Sequence, residues 1–200
     1  MSKIKAVCVY CGSSPGTEPD YVKAAAKLGK SLAENGVRLI YGGGSVGLMG
    51  AIADSVIKHG GAVTGIIPEF LMRKERAARQ GEMIVTRDMH ERKRRMFDMA
   101  DAFVALPGGI GTLEELVEQL TWAQLGRHQK PVLLANINGF WAPLVDLIDH
   151  MQSLGFIHAS HRLRYLIVDR IEDALPSLFA HWAKTQPPTA AEQRTIIERL

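Results

Sequence analysis

The sequence predicts an α/β fold in which a central parallel sheet of about seven strands carries helices on both faces. Three observations lead there. Short apolar, β-branched runs alternate with amphipathic segments along the chain, as βαβ units require. Runs such as Phe103-Val104-Ala105-Leu106 and Val132-Leu133-Leu134-Ala135 are apolar at every position, which suits strands covered on both faces. Glycine-rich segments stand where strands would hand over to helices.

In chain order, an apolar strand over residues 4–10 runs into Cys11-Gly12-Ser13-Ser14-Pro15-Gly16 and an amphipathic helix over 20–34. A strand over 37–41 is followed by Gly42-Gly43-Gly44-Ser45-Val46-Gly47 and a helix over 48–59. Strands over 62–67 and 83–86 flank a connection, and a helix over 89–100 leads to a strand over 102–106. Pro107-Gly108-Gly109-Ile110-Gly111-Thr112 then opens a helix over 113–125. A strand over 132–136, a helix over 141–153, a strand over 165–168 and a helix over 172–183 complete the pattern, with Pro176 leaving the start of the last helix open. Two hundred residues without an internal repeat or linker suit one domain, over 1–184. Residues 185–200, with Pro187-Pro188, read as a C-terminal extension.

Composition narrows the function classes. Hydrophobic residues make up 46% and charged residues 22%, near the globular average and unlike a disordered chain, a collagen repeat or a long coiled coil. No apolar run approaches the ~18 residues of a membrane span. The apolar stretch after the basic N-terminus is shorter than the ~7–15 residues of a signal core. The expectation is a cytoplasmic protein with no membrane partner. Between Arg73 and Arg95 stand nine basic and four acidic residues, a net of +5, whereas the other residues carry fifteen basic and seventeen acidic. That run is either a solvated face or an attractor for an anion. A nucleic-acid partner would want a broader basic surface interleaved with aromatics, which are only 6% of the chain.

Cys8 and Cys11 form a C-x-x-C. On a strand, a separation of three sends side chains to opposite faces, so they read as core thiols rather than a redox pair. Without a second cysteine pair or well-spaced histidines, no metal is expected.

In open parallel sheets, ligands bind beyond the carboxyl ends of the strands, and all three glycine loops fall on that edge. Backbone N–H groups of glycine loops and helix N-termini favour anions, so together the loops suggest a phosphate cradle. Gly42, Gly44 and Gly47 also satisfy G-x-G-x-x-G, which keeps a dinucleotide-dependent oxidoreductase open as a competing reading. That fingerprint, however, normally follows the first strand.

The helix over 89–100 places Met89, Met96, Phe97 and Ala100 in one apolar stripe, with Arg92 at its margin and Lys93 within it. Cations pointing with an apolar face need an internal carboxylate, a bound anion, or a snorkelling path to water. In Thr112-Leu113-Glu114-Glu115, Thr112 and Glu115 match a capping box. The alternative is that Glu115, beside the cradle, offers its carboxylate to a substrate.

These residues make the sequence recognisable. It resembles the LONELY GUY family of cytokinin riboside 5′-monophosphate phosphoribohydrolases, proteins that were formerly often labelled lysine decarboxylases. The resemblance rests on Tyr41-Gly42-Gly43-Gly44 with Gly47-Leu48-Met49-Gly50, Met89-His90-Glu91-Arg92-Lys93, and Pro107 through Glu115, extended by Thr121-Trp122-Ala123-Gln124-Leu125-Gly126. It implies a Rossmann-like three-layer sandwich, a homodimer, and hydrolysis of a nucleoside monophosphate to free base and ribose 5-phosphate without a cofactor. By matching position, it implies Arg92 and Glu115 as the catalytic pair. It puts Lys93, Gly109, Gly111, Thr112 and Thr121 at the nucleotide, with Ser13, Gly43, Gly44, Met89, Gly108 and Glu114 as further contacts. Glu75 is carried over from the connection over 70–80, which varies. A non-catalytic nucleotide carrier on the same fold is the alternative.

Overall fold

Seven strands and six helices alternate along the described residues, which are 4–72, 81–158 and 163–185 of this computed structural model. They are β1 (Ala6–Tyr10), α1 (Pro19–Glu34), β2 (Arg38–Tyr41), α2 (Gly47–Lys58), β3 (Val63–Pro68), β4 (Glu82–Thr86) and α3 (Met89–Met99). Then come β5 (Ala102–Ala105), α4 (Ile110–Gln124), β6 (Val132–Ala135), α5 (Ala142–Ser153), β7 (Leu166–Val168) and α6 (Ala174–Thr185). The strands form one sheet in the order β4-β3-β2-β1-β5-β6-β7, and every neighbouring pair is parallel.

Side-chain alternation along the strands divides the interior into two layers. Val7, Val9, Leu39, Tyr41 and Val104 meet Leu28 of α1, Ile52 of α2 and Leu178 of α6. Cys8, Tyr10, Ile40, Phe103 and Ala105 meet Met96 of α3, Leu116 and Leu120 of α4, and residues of α5. Cys8 and Cys11 fall in opposite layers, both as buried free thiols. Burial pushes the Cys8 thiol far above its ordinary pKa, so it is inert toward redox chemistry.

Two helix starts differ from the sequence expectation. The last helix begins at Ala174, behind a 3-10 turn over Ile171–Asp173, so Pro176 sits in its first turn, where a missing N–H costs little. The fourth helix begins at Ile110, three residues early, because Leu113 N–H already donates to the Gly109 carbonyl at 3.0 Å. Among the described residues, no helix is long and apolar enough to cross a membrane.

The order reverses at β1. From β1 the chain builds outward through β2, β3 and β4, then returns to place β5 on the other side of β1. The connections after β1 and β5 therefore diverge to opposite faces of the sheet and leave a crevice beyond their carboxyl ends.

Candidate active site

That crevice holds a cavity of about 330 Å³ lined from the ends of β1, β2 and β5 and from α3 and α4. Its charged floor is built by α3. Asp88 caps this helix by accepting the Glu91 N–H at 2.8 Å, and the Glu91 carboxylate accepts the Arg87 N–H at 3.0 Å and the guanidinium groups of Arg87 and Arg95. The Arg87 backbone bond first, then Arg95 and the Arg87 side chain, hold the Glu91 carboxyl at a pKa of about 2. With the first turn so fixed, Arg92 projects inward and is only 8% exposed. Its Nε donates to the Ile66 carbonyl at 3.0 Å, and its Nη1 lies 3.2 Å from Glu115 Oε1. Glu115 is also 8% exposed. A buried arginine and a buried glutamate thus neutralise each other on the cavity wall.

Because α4 begins at Ile110, Thr112 is not its N-cap and Glu115 is not at N3; no side chain caps this helix at all. The capping-box expectation is therefore wrong, and Glu115 sits in the second turn facing Arg92. The first-turn residues Gly109, Ile110, Gly111 and Thr112 line the cavity instead. A methyl group added at Gly109 or Gly111 would meet nothing within 4 Å. Neither glycine is demanded by the protein's own packing.

The second glycine loop is different. The Gly12 carbonyl accepts the Leu48 N–H at 3.0 Å and the Met49 N–H at 3.4 Å. Gly47 has φ +62°, and a Cβ there would run into the Ser13 backbone. The N-terminus of α2 is thus occupied by the first glycine loop. The G-x-G-x-x-G here builds a loop–loop contact and leaves no approach for a pyrophosphate, which removes the support for dinucleotide binding.

The structure brings Ser13, Arg92, Gly109, Gly111, Thr112 and Glu115 to one cavity. The other expected contacts stand back from its wall. Met89 supports Arg92, its Sδ lying 3.9 Å from Nη1. Gly43 (φ +79°) and Gly44 are buried behind the end of β2. Gly108 packs against Gly12. Thr121 donates to the Val117 carbonyl at 2.8 Å on an exposed side of α4. Lys93, whose side chain is 13% exposed, forms ion pairs with Glu114 and Glu118. Burial alone would lower its pKa, but these two carboxylates outweigh that and hold it above the ordinary lysine value. Internal carboxylates are therefore the partners that both inward cations required. Glu75 lies outside the described residues.

Cys11, Gly42 and Ile110 line the cavity as members of the three glycine loops, whereas Tyr10 and Met49 also line it and did not figure as candidate contacts. Their available signal was position: the last residues of strands or the first of helices bordering glycine loops. Among the described residues, no three His, Cys, Asp or Glu gather as a metal would need.

A doubly wound parallel sheet, a hollow at its switch point and a bare helix N-terminus facing that hollow define a Rossmann-like α/β protein with a candidate anion site. The model of the family described as possible lysine decarboxylase matches residues 49–178, and the chain belongs to this family, that of the LONELY GUY proteins. It is 52% identical over 157 residues to the cytokinin riboside 5′-monophosphate phosphoribohydrolase LOG of Oryza sativa subsp. japonica, covering 78% of this chain and 65% of that protein. The cytokinin riboside 5′-monophosphate phosphoribohydrolase of Rhodococcoides fascians is 43% identical over 176 residues, covering 87% and 89%. Among solved structures, the Moco carrier protein from Chlamydomonas reinhardtii shares the fold, with a TM-score of 0.67 and 22% identity over 90% of this chain and 98% of that one.

Proposed function

We propose that this protein is a cytoplasmic nucleoside 5′-monophosphate phosphoribohydrolase, cleaving the N-glycosidic bond of AMP or an N6-substituted AMP. The observation that carries this reading is the buried Arg92–Glu115 pair beside the uncapped start of α4. Relatives named for this reaction, at 43–52% identity, support it. The α4 N-terminus, with backbone N–H groups and a helix dipole both favouring anions, receives the 5′-phosphate. Cleavage then develops positive charge on the ribose, and the Glu115 carboxylate stabilises that charge and takes a proton from the attacking water. The water oxygen bonds to C1′, the C1′–N electron pair leaves with the base, and the proton ends on the base nitrogen. Arg92 balances the carboxylate and presents its guanidinium fork to the nucleotide.

Decarboxylation of lysine fits poorly. Pyridoxal chemistry needs a neutral lysine amine to form a Schiff base. Lys93, the lysine within the recognised motifs, is held as an ammonium between two carboxylates.

The test compares AMP with adenosine, following free base and ribose 5-phosphate. Energy from binding the remote phosphate positions the reacting carbon, so adenosine loses turnover as well as affinity. Equal kcat/KM for the two would remove the phosphate cradle. Tight AMP binding without product would make the protein a carrier.

The homodimer belongs to the same proposal. Ile110, Val117 and Leu125 lie along one side of α4 at 83%, 43% and 77% exposure, a stripe that a second copy would cover. Trp122 is not part of it, since it packs within the chain against Phe97 and Arg127. Val117→Lys should convert the dimer to monomers in sedimentation, and an unchanged mass would place the interface elsewhere.

A further inference from the structure

We propose that a second cavity, at the opposite end of α4, is a binding site for a small organic anion. The helix runs 15 residues, about 22 Å at 1.5 Å per residue. Its start lines the catalytic hollow, and Ala123 and Gln124 at its end line this other one. The cavity is about 500 Å³ and opens at the amino ends of β6 and β7, with Thr185 at the end of α6 closing one side.

Among the described residues, the charged side chains on its wall, Lys130 and Arg164, are both basic. His181 lines it beside them, and no aspartate or glutamate among the described residues does. Arg164 and His181 have no side-chain hydrogen-bond or ion-pair partner among the described residues. Lys130 donates one N–H to the Phe97 carbonyl at 2.7 Å and rests 4.0 Å from the Phe97 ring centroid, with Asp98 and Asp101 in electrostatic range but not in contact. Its ammonium keeps donors to spare. An unpartnered guanidinium, an unpartnered imidazole and an ammonium with donors to spare, on residues lining one hollow, are the complement of an anionic head.

The remaining wall selects the body of the ligand. Pro131, Leu163 and the ring of Tyr165 give it an apolar side, suited to a flat or aliphatic group carrying a phosphate or carboxylate. His128 is not one of the recognising groups. Its Nδ1 accepts the Lys130 N–H at 3.1 Å, which leaves Nε2–H to donate to the Gln119 carbonyl at 3.1 Å. It is a neutral strut tying the cavity wall to α4.

The experiment titrates phenyl phosphate into the full chain, following backbone amides and histidine ring signals by NMR at constant pH. Saturable shifts at His181 and around residues 129–131 and 163–166 are expected, with affinity about ten-fold weaker in Arg164→Ala or His181→Gln. Benzoate in place of phenyl phosphate reports which anionic head is preferred, and tighter binding of either supports the site. Phenol binding as well as both would show an apolar hollow only and overturn the proposal. So would shifts confined to Gly109 and Gly111, or no saturation up to about 20 mM, beyond the range expected of a small anion. Loss of AMP hydrolysis does not enter this readout, so the two proposals fail separately.

Discussion

Replacing Gly42 with alanine separates catalytic geometry from folding. The backbone at Gly42 lies outside the left-handed region, so alanine is conformationally permitted. Its methyl group, however, would sit 2.5 Å from Arg92 Nη2 and 2.9 Å from Met49 Sδ. Carbon and nitrogen need about 3.5 Å, so the guanidinium must retreat by about 1 Å. Both of its anchors resist: the Ile66 carbonyl at 3.0 Å and Glu115 at 3.2 Å. The side chain ends in flexible bonds, so the fold yields there at a cost of about 1–3 kcal/mol, the usual range for overpacking. A reacting group displaced by 1 Å loses about 10²-fold in rate. We therefore expect kcat/KM for AMP to fall about 10²-fold, with urea unfolding still cooperative and reduced by no more than about 3 kcal/mol. Gly109→Ala is the control for the fold, because its methyl group meets nothing. A Gly42→Ala enzyme within about three-fold of the parent, under 0.7 kcal/mol in barrier, would show that the Arg92 position does not govern the reaction.

Glu115→Gln keeps shape and a hydrogen-bond acceptor for Arg92 but removes the charge; base release should fall by about 10²–10⁴ while circular dichroism and cooperative unfolding persist. A mutant with parental turnover would return Glu115 to a purely structural role. Gly111→Ala replaces glycine inside a helix and should raise stability by about 0.5–1 kcal/mol, yet weaken AMP binding by crowding the bare α4 turn; unfolding and KM measured on one preparation read both. Acid dependence follows from Glu91, whose folded pKa of about 2 lies below the ordinary value of 4.5. Its contribution is complete above pH 4.5 and is lost as pH falls toward 2. The gap in urea midpoint between parent and Glu91→Gln should be constant above pH 5 and close progressively below 4.5.

Elements whose signal is periodic were legible in the sequence. The unbroken apolar runs at Phe103 and Val132 became interior strands, and the spacing of Cys8 and Cys11 put them in opposite layers. Arg92 and Lys93 on the apolar side of α3 left an internal carboxylate, a bound anion or a path to water as alternatives, and α4 supplies carboxylates to both. The features that were not legible depend on contacts distant in sequence. Thr112 and Glu115 satisfy a local capping pattern, but the backbone of Gly109 starts the helix first, and the capping pair falls inside it. On the helical wheel Glu115 lies away from the core stripe of α4. It is buried nonetheless, because α3 and the end of β1 cover that side. No local pattern reveals a cover supplied by another element.

The two glycine-flanked helix starts show how one local chemistry serves two ends. Both α2 and α4 present free backbone N–H groups and a positive dipole to the same sheet edge. At α2 the Gly12 carbonyl accepts two of those N–H groups, and the Gly47 turn is pressed against Ser13. That helix end welds the loop after β1 to the loop after β2. At α4 no side chain caps the first turn, and the space beside Gly109 and Gly111 is open. The welded pair holds one wall still while the open turn faces the cavity, with the Arg92–Glu115 pair beside it. Under the proposed function, an anion supplied by substrate completes what the protein leaves unsatisfied, and its reacting carbon comes to rest against a carboxylate whose position α3 and α4 have already set.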